Sequence, residues 1–426
     1  MPGKKGSIAW DALIPVPAPG KPAKKTLVRV TEQIPRKIAE GKGEMRYTEG
    51  IAILGTGSIA HSHANAIRHC GKQIDLVVNP HVEAAQQFAL LWNIPQWSGD
   101  FSALFSESIS DVHVCTPAGI HYEQVKALLL HGKNVLCEKP LCLKEDEALE
   151  LAKLAREKGV RAVIDLNVRF NPACIAAREM IQSDSFGDIW LTHGTYLQEF
   201  EILPTAYTWR YREEVAGNMR AVTEIGSHWI DLLYFLTGIR IRRVSACFNR
   251  LQKDRVIRDN MMYSADPATA TEGNPVSITE TDVRSDTDRV LHLESEDAAI
   301  ISYELENGRF GSLVLSEISA GHQNTIEITV SGAKQTISWN ADEPTKLCYA
   351  EKGGPLSVRQ FAFGNNGFND TICELVKAYY EDVVSDMLPT FGDGVYLVAV
   401  CQAIYRSANQ DGTWVVVEDR EKRKKE

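Results

Sequence analysis

The chain has 426 residues, 44% of them hydrophobic and 24% charged, with a formal net charge of −10; this describes two or three globular domains and excludes a disordered or fibrous protein. The acidic balance repels nucleic-acid phosphates and anionic lipid, and no apolar run reaches the ~20 residues of a membrane span, so neither nucleic acid nor membrane is expected as a partner. Nine cysteines stand without metal-type pairs, which predicts reduced thiols, no metal site and a cytoplasmic setting; the basic N-terminus lacks the apolar stretch of a secretion signal.

Residues 1–49, rich in proline and lysine, read as an N-terminal arm, either a mobile tail or a strap around a neighbouring subunit. The pattern changes at Gly50. Ile51–Leu54 is a short buried strand, and a helix follows the glycines to about His69. Strands over Ile74–Val78, Val112–Cys115, Asn134–Cys137 and Val160–Leu166 alternate with helices over Val82–Trp92, Tyr122–Leu130 and Leu143–Lys158. Strand–helix alternation predicts a parallel sheet covered on both faces. This Rossmann-type α/β domain spans 50–171, with a helix over 391–411 as a candidate addition. Strands over Ile189–Gln198, Val244–Arg250, Ala298–Leu305, Phe310–Glu317, Asn324–Val330 and Gln335–Trp339 then predict an α+β domain over 172–390 with a large open, mainly antiparallel sheet. Between them, Lys253 to about Ser295 is a polar excursion, either loop or intersubunit ribbon. Helices cover Phe368–Met387 and Val395–Ala408, and 412–426 is a C-terminal strand with a charged tail.

Gly55-Thr56-Gly57-Ser58-Ile59-Ala60 ends a strand and opens a helix, the context a dinucleotide fingerprint requires: a tight turn, a close backbone approach and a helix N-terminus facing the pyrophosphate. Asn79 ends the second strand, where a carboxylate or amide can hold ribose hydroxyls. No cation follows it, and Glu83 repels a ribose phosphate, which favours NAD over NADP. The loop Thr116-Pro117…His121 faces the cofactor, although His121 also fits a plain helix start. Cys137-Glu138-Lys139-Pro140 puts an ammonium at the carboxyl end of a strand, where it can stabilise a developing alkoxide. In Glu224-Ile225-Gly226-Ser227-His228-Trp229-Ile230-Asp231, the spacing places Glu224, His228 and Asp231 on one polar helical stripe, so that a carboxylate can orient the imidazole.

Taken in order, Gly55–Ala60, Glu138-Lys139-Pro140, Asn167-x-Arg169-Phe170-x-Pro172, Trp209-Arg210, Gly226-Ser227-His228-x-x-Asp231 and Thr390–Gly394 resemble the Gfo/Idh/MocA family, the group of glucose–fructose oxidoreductase and inositol dehydrogenase, from about Ile51 to Val417. The resemblance implies NAD(P)-dependent oxidation of a secondary alcohol on a sugar, glycoside or cyclitol. It also implies Lys139 and His228 as catalytic residues, and subunit contacts through the open sheet, hence a homodimer or homotetramer. Glu224 stands where relatives carry aspartate. Asn167, Trp209 and Arg210 join the cofactor set with Gly55, Thr56, Gly57, Ser58, Ile59, Asn79, Thr116, Pro117, His121, Glu138 and Lys139. Arg169, Tyr196, Gln198, Trp209 and Arg212 join Lys139 and His228 on the substrate side, with packing as the rival role for Tyr196 and Trp209 and a brace as the rival for Arg169.

In the expected reaction His228 takes the hydroxyl proton while a carbon-bound hydride leaves. Two rivals stand beside a plain dehydrogenase, possible at the ring's C3 hydroxyl. One is an NAD-dependent glycosidase working by transient oxidation and elimination; the other is a non-catalytic NAD-binding protein.

Overall fold

The computed structural model describes residues 28–29, 50–264, 289–362, 367–381 and 386–418. The expected N-terminal arm apart from Val28–Arg29, the middle of the polar excursion and the end of the charged tail lie outside the described residues. The described residues fall into two compact units: those up to 142 with 147–165 and 372–391, and those of 143–146, 166–371 and from 392 on. The helix considered as an addition to the first domain therefore lies in the second unit from Gly392 onward, and the stretch before it, Ile372–Phe391, is what joins the first.

In the first unit the strands are β1 (Ile51–Leu54), β2 (Leu76–Val78), β3 (Gln96–Ser98), β4 (Asp111–Val114), β5 (Asn134–Cys137) and β6 (Ala162–Ile164). Helices α1 (Ser58–His69), α2 (Val82–Trp92), α3 (His121–Leu130) and α4 (Glu145–Lys158) connect them. All six strands run parallel in the order β3-β2-β1-β4-β5-β6. This is the doubly wound order whose switch point lies between β1 and β4. Val28–Arg29 pairs antiparallel with β3, a strand of three residues too short to announce itself in the sequence. Both faces of β1 and β4 are buried; β1 runs apolar without alternation, whereas β4 buries the polar Asp111 and His113 between its valines.

The second unit is built on β7 (Ile189–Leu197), β8 (Ile241–Asn249), β9 (Ala298–Leu305), β10 (Phe310–Ser316), β11 (Thr325–Gly332), β12 (Gln335–Asn340), β13 (Lys346–Glu351), β14 (Ser357–Gln360) and β15 (Val415–Val416). They form a nine-stranded sheet in the order β14-β13-β12-β11-β7-β10-β9-β8-β15. Only the β7–β10 ladder is parallel among its described pairs. Helices α5 (Pro172–Ile181) and α6 (Ser227–Thr237) also belong to this unit. Trp229 pins α6 to the sheet by donating from Nε1 to the Glu327 carbonyl at 2.8 Å. Gly194 makes room for that contact, because a Cβ there would sit 1.9 Å from the Glu327 oxygen. The polar excursion is more than a loop. Asp254–Arg258, Met261–Ser264 and Arg289–His292 pair with one another and with Thr205–Ala206 in a four-stranded sheet.

The interior between these strands is charged. Arg220 is buried and donates from Nε to Glu317 at 2.7 Å, and it pairs with Asp297 as well. Buried Arg255 donates to both the carbonyl and the carboxylate of Glu201. Such a network holds only because each charge has partners; removing one member would strand the rest.

Candidate active site

One group of candidate residues lies on the first unit. Gly55 follows β1 with φ +103°, and a Cβ there would meet the Cys115 carbonyl oxygen at 2.6 Å. Gly57 caps α1, no side chain caps that helix end, and no acid lies in its first turn. A Cβ on Gly57 would meet nothing within 4 Å. The first N–H groups of α1 therefore face open space with a positive dipole end behind them, which fits a pyrophosphate. Asn79, at the end of β2, donates from Nδ2 to Thr56 Oγ1 at 2.7 Å and accepts from the His81 N–H at 2.9 Å. It steadies the glycine turn.

His121 is fully buried; its Nε2 lies 2.7 Å from the Thr116 carbonyl and its Nδ1 2.9 Å from the Pro140 carbonyl. It clamps the Thr116-Pro117 loop to the Lys139–Pro140 turn. Burial pushes its pKa down while the two carbonyl acceptors pull it up, and burial prevails. The Lys139–Pro140 peptide bond is cis, and Lys139 is half-buried. Glu138 is buried and turned inward: Oε2 accepts from the Lys139 N–H at 3.2 Å and Oε1 lies 3.0 Å from His63 Nε2. Asp165 Oδ2 lies 3.3 Å from the same nitrogen. Donor atoms of His63, Glu138 and Asp165 come within 4.8 Å of one another, but hydrogen-bond distances from the imidazole to each carboxylate fill that gap with a proton.

A separate group of candidate residues lies on the second unit. The motif helix begins with a π-helical turn, Val222–Gly226, that runs into α6; such turns recur at functional sites. A Cβ at Gly226 would lie 2.7 Å from Leu315 Cδ1, so glycine lets this turn approach β10. Buried Glu296 caps it, Oε1 accepting from the N–H groups of Arg220 at 3.0 Å and Val222 at 2.8 Å. His228 is buried with its ring edge-to-face against Phe368, centroids 5.9 Å apart. Glu224 accepts from Arg210 Nε at 3.3 Å, and the Arg210 guanidinium lies over the Trp209 ring. Arg212 pairs with Glu214 at 2.8 Å.

Five of the expected site residues have partners inside the second unit. Asp231 does not orient the imidazole; it holds buried Arg169, whose Nε donates to Oδ2 at 3.1 Å and whose Nη2 donates to Oδ1. Burial lifts Asp231 up to about 6 against the pull of that guanidinium, and both groups are ionised at neutral pH. Arg169 thus makes the bracing contact that was its rival role. Tyr196 and Gln198 are buried and both donate to Asn324 Oδ1, at 2.6 and 2.7 Å. Asn167 is buried, its Nδ2 donating to Thr371 Oγ1 at 2.8 Å and to the Phe368 carbonyl at 3.2 Å. Sequence reasoning missed His63, Asp165 and Glu296. His63 had a signal: it falls three residues after Ala60, on the face of α1 that Ala60, Ala64 and Ile67 bury.

A doubly wound sheet with a bare helix N-terminus at its glycine turn, joined to a large-sheet unit, defines an NAD-binding oxidoreductase. A family model described as "Oxidoreductase family, NAD-binding Rossmann fold" matches residues 50–166, and the GFO/IDH/MocA C-terminal domain matches residues 174–338. The chain belongs to the Gfo/Idh/MocA family. It is 24% identical over 364 residues to the levoglucosan dehydrogenase of Pseudarthrobacter phenanthrenivorans, covering 80% of this chain and 87% of that protein. It is 26% identical over 192 residues to the D-glucoside 3-dehydrogenase of Escherichia coli, covering 44% and 54%. A solved levoglucosan dehydrogenase in complex with NADH and L-sorbose superposes with a TM-score of 0.74 at 20% identity, over 87% of this chain and 98% of that one, a likeness of fold. Among the described residues no helix is long and apolar enough to cross a membrane.

Proposed function

We propose that the protein oxidises a secondary hydroxyl of a sugar, glycoside or cyclitol to a ketone: the alcohol and NAD+ give the ketone, NADH and a proton. NAD, when bound, accepts the hydride at its nicotinamide ring. Lys139 supplies the positive charge that stabilises the alkoxide as it develops, and His228 takes the hydroxyl proton. Trp209, Arg210 and Arg212 offer an aromatic face and forked donors to a polyhydroxylated ring.

The observation that supports this reading best is the pairing, within the first unit, of an uncapped and acid-free α1 N-terminus with a lysine held at the carboxyl end of β5. The names of the relatives, levoglucosan dehydrogenase and D-glucoside 3-dehydrogenase, support the choice of substrate class. A second copy of the chain is the proposed partner. The outer face of the large sheet exposes Leu191, Ile300, Phe310 and Val314, and the register aligns Ile300 beside Val314.

The test is purified protein with NAD against a panel of sugars, glycosides and inositols, following NADH and products together. A keto product with stoichiometric NADH supports the dehydrogenase. Free aglycone without net NADH would shift the reading to transient oxidation and elimination. No turnover across the panel would defeat both.

A further inference from the structure

A line of buried polar side chains crosses the first unit beneath Lys139, and the reaction as described above does not use it. It starts at Glu138 and Asp165, whose carboxylates share His63 Nε2 at 3.0 and 3.3 Å. His63 Nδ1 lies 2.8 Å from His113 Nδ1. His113 Nε2 lies 2.8 Å from the hydroxyl of Tyr380. His63 and His113 are completely buried, whereas Tyr380 is half-exposed with the Lys72 ammonium 4.8 Å from its ring centroid. The row therefore runs unbroken from the carboxylate beside the catalytic lysine to the protein surface.

The geometry restricts where its protons can be. Nε2 of His63 faces two carboxylates and must carry a proton. Two Nδ1 atoms 2.8 Å apart can hold one proton between them, which leaves two arrangements. In the first, His63 is an imidazolium donating to His113, and His113 donates from Nε2 to the Tyr380 oxygen. In the second, His63 is neutral, His113 donates from Nδ1 to His63, and the Tyr380 hydroxyl donates to His113 Nε2. Passing from the first to the second moves the His63 Nδ1 proton to His113, the His113 Nε2 proton to the Tyr380 oxygen, and the proton already on Tyr380 to water. One proton leaves and the buried charge falls by one.

We propose that His63, His113 and Tyr380 form a proton relay that connects the Glu138–Asp165 carboxylate pair, at the base of the Lys139 turn, with solvent. Oxidation of an alcohol by NAD releases one proton per hydride, and Lys139 acts on Glu138 through its charge. A relay lets that carboxylate pair follow the charge changes of turnover without water entering the sheet. The groups facing the row are Cys115 just after β4, Lys139, Tyr379 beside Tyr380, and Asp111 and Arg161, both hydrogen-bonded to Tyr379. Burial alone would lower His63; Cys115, Asp165 and Glu138 outweigh it and hold its pKa well above the ordinary value. Burial and the neighbouring His63 charge hold His113 well below. Both directions favour the first arrangement at neutral pH, with the second appearing as pH rises.

The link to turnover rests on the function proposed above; the relay itself does not, so two readouts separate them. In full-length protein saturated with NAD, 15N spectra of the histidines should show His63 losing its proton and His113 changing tautomer at one common midpoint. This must hold in Lys139→Ala too, where turnover is lost. Tyr380→Phe, a half-exposed hydroxyl deletion that leaves the core packing in place, should abolish the coupled tautomer change. In wild type the pH profile of turnover should carry the midpoint of the coupled tautomer change, and in Tyr380→Phe it should lose it. His113→Gln keeps hydrogen bonding but cannot exchange protons between its ends, and it should behave like Tyr380→Phe. Separate midpoints for the two histidines, or a turnover pH profile left unchanged in both variants, would overturn the relay. Stoichiometric zinc in the purified protein would overturn it as well.

Discussion

Replacing Asp231 by asparagine tests how the second unit holds the helix that carries His228. The Arg169 and Asp231 side chains are 4% and 3% exposed. At the 3.1 Å of the Nε–Oδ2 contact, and with an effective dielectric of about 20, their attraction is ~5 kcal/mol. Removing both ions from water costs several kcal/mol each, so the pair as a whole contributes little net stability. Breaking it is another matter. Asp231→Asn leaves a guanidinium in the interior without its bonded carboxylate, Asp393 being the charge that still acts on it, at a cost of about 3–5 kcal/mol. Buried Trp229, two positions away on the same helix, gives a fluorescence signal for urea unfolding of this unit. The double variant Arg169→Met/Asp231→Leu should recover most of the loss, because no ion is left behind. A loss below about 1 kcal/mol in Asp231→Asn, or a double variant whose loss equals the sum of the singles, would refute the reasoning.

Other outcomes follow from single contacts. Burial lifts the Glu296 carboxyl up to about 6 against the backbone N–H groups that lower it. A raised acid contributes stability that is complete below its ordinary pKa and is lost as pH rises through the folded value. Between about pH 4.5 and 7 the loss is roughly 2 kcal/mol, and Glu296→Gln should flatten that part of the urea-midpoint profile; an unchanged slope would count against it. Gly57→Ala should leave urea stability within about 0.5 kcal/mol but weaken NADH binding by fluorescence titration, because the new methyl enters the space open to the pyrophosphate. Equal affinity would remove Gly57 from the cofactor cradle. Gly55→Ala, by contrast, should lower stability itself through its positive φ and the Cys115 carbonyl, and a wild-type urea midpoint would contradict that.

Local patterns made much of this legible in the sequence. The apolar run Ile51–Leu54 announced β1, alternation with helices announced β4 and β5, and the alternation in Ile326, Ile328 and Val330 announced β11. The glycine turn and Lys139 were readable because strand ends and helix starts carry local signatures. What stayed hidden depends on partners distant in the chain. Spacing put Asp231 on a stripe with His228, but its partner Arg169 lies 62 positions upstream. Glu296 caps the π turn from 76 positions beyond Arg220. The strand Asp254–Arg258 was read as part of a polar excursion because buried interiors are expected to be apolar, whereas this one is filled by Arg255, Glu201 and Arg220. The π turn itself has no compositional mark.

The central claim is that Lys139 and His228 perform an NAD-dependent oxidation of a secondary alcohol. Single-turnover hydride transfer, measured as NADH appearance with a substrate identified from the panel and its carbon-deuterated form, tests it most directly. Lys139→Ala and His228→Ala should each slow the transfer by about two orders of magnitude or more, with a primary isotope effect on the slowed step and NADH affinity retained. Wild-type transfer rates in either variant would contradict the account.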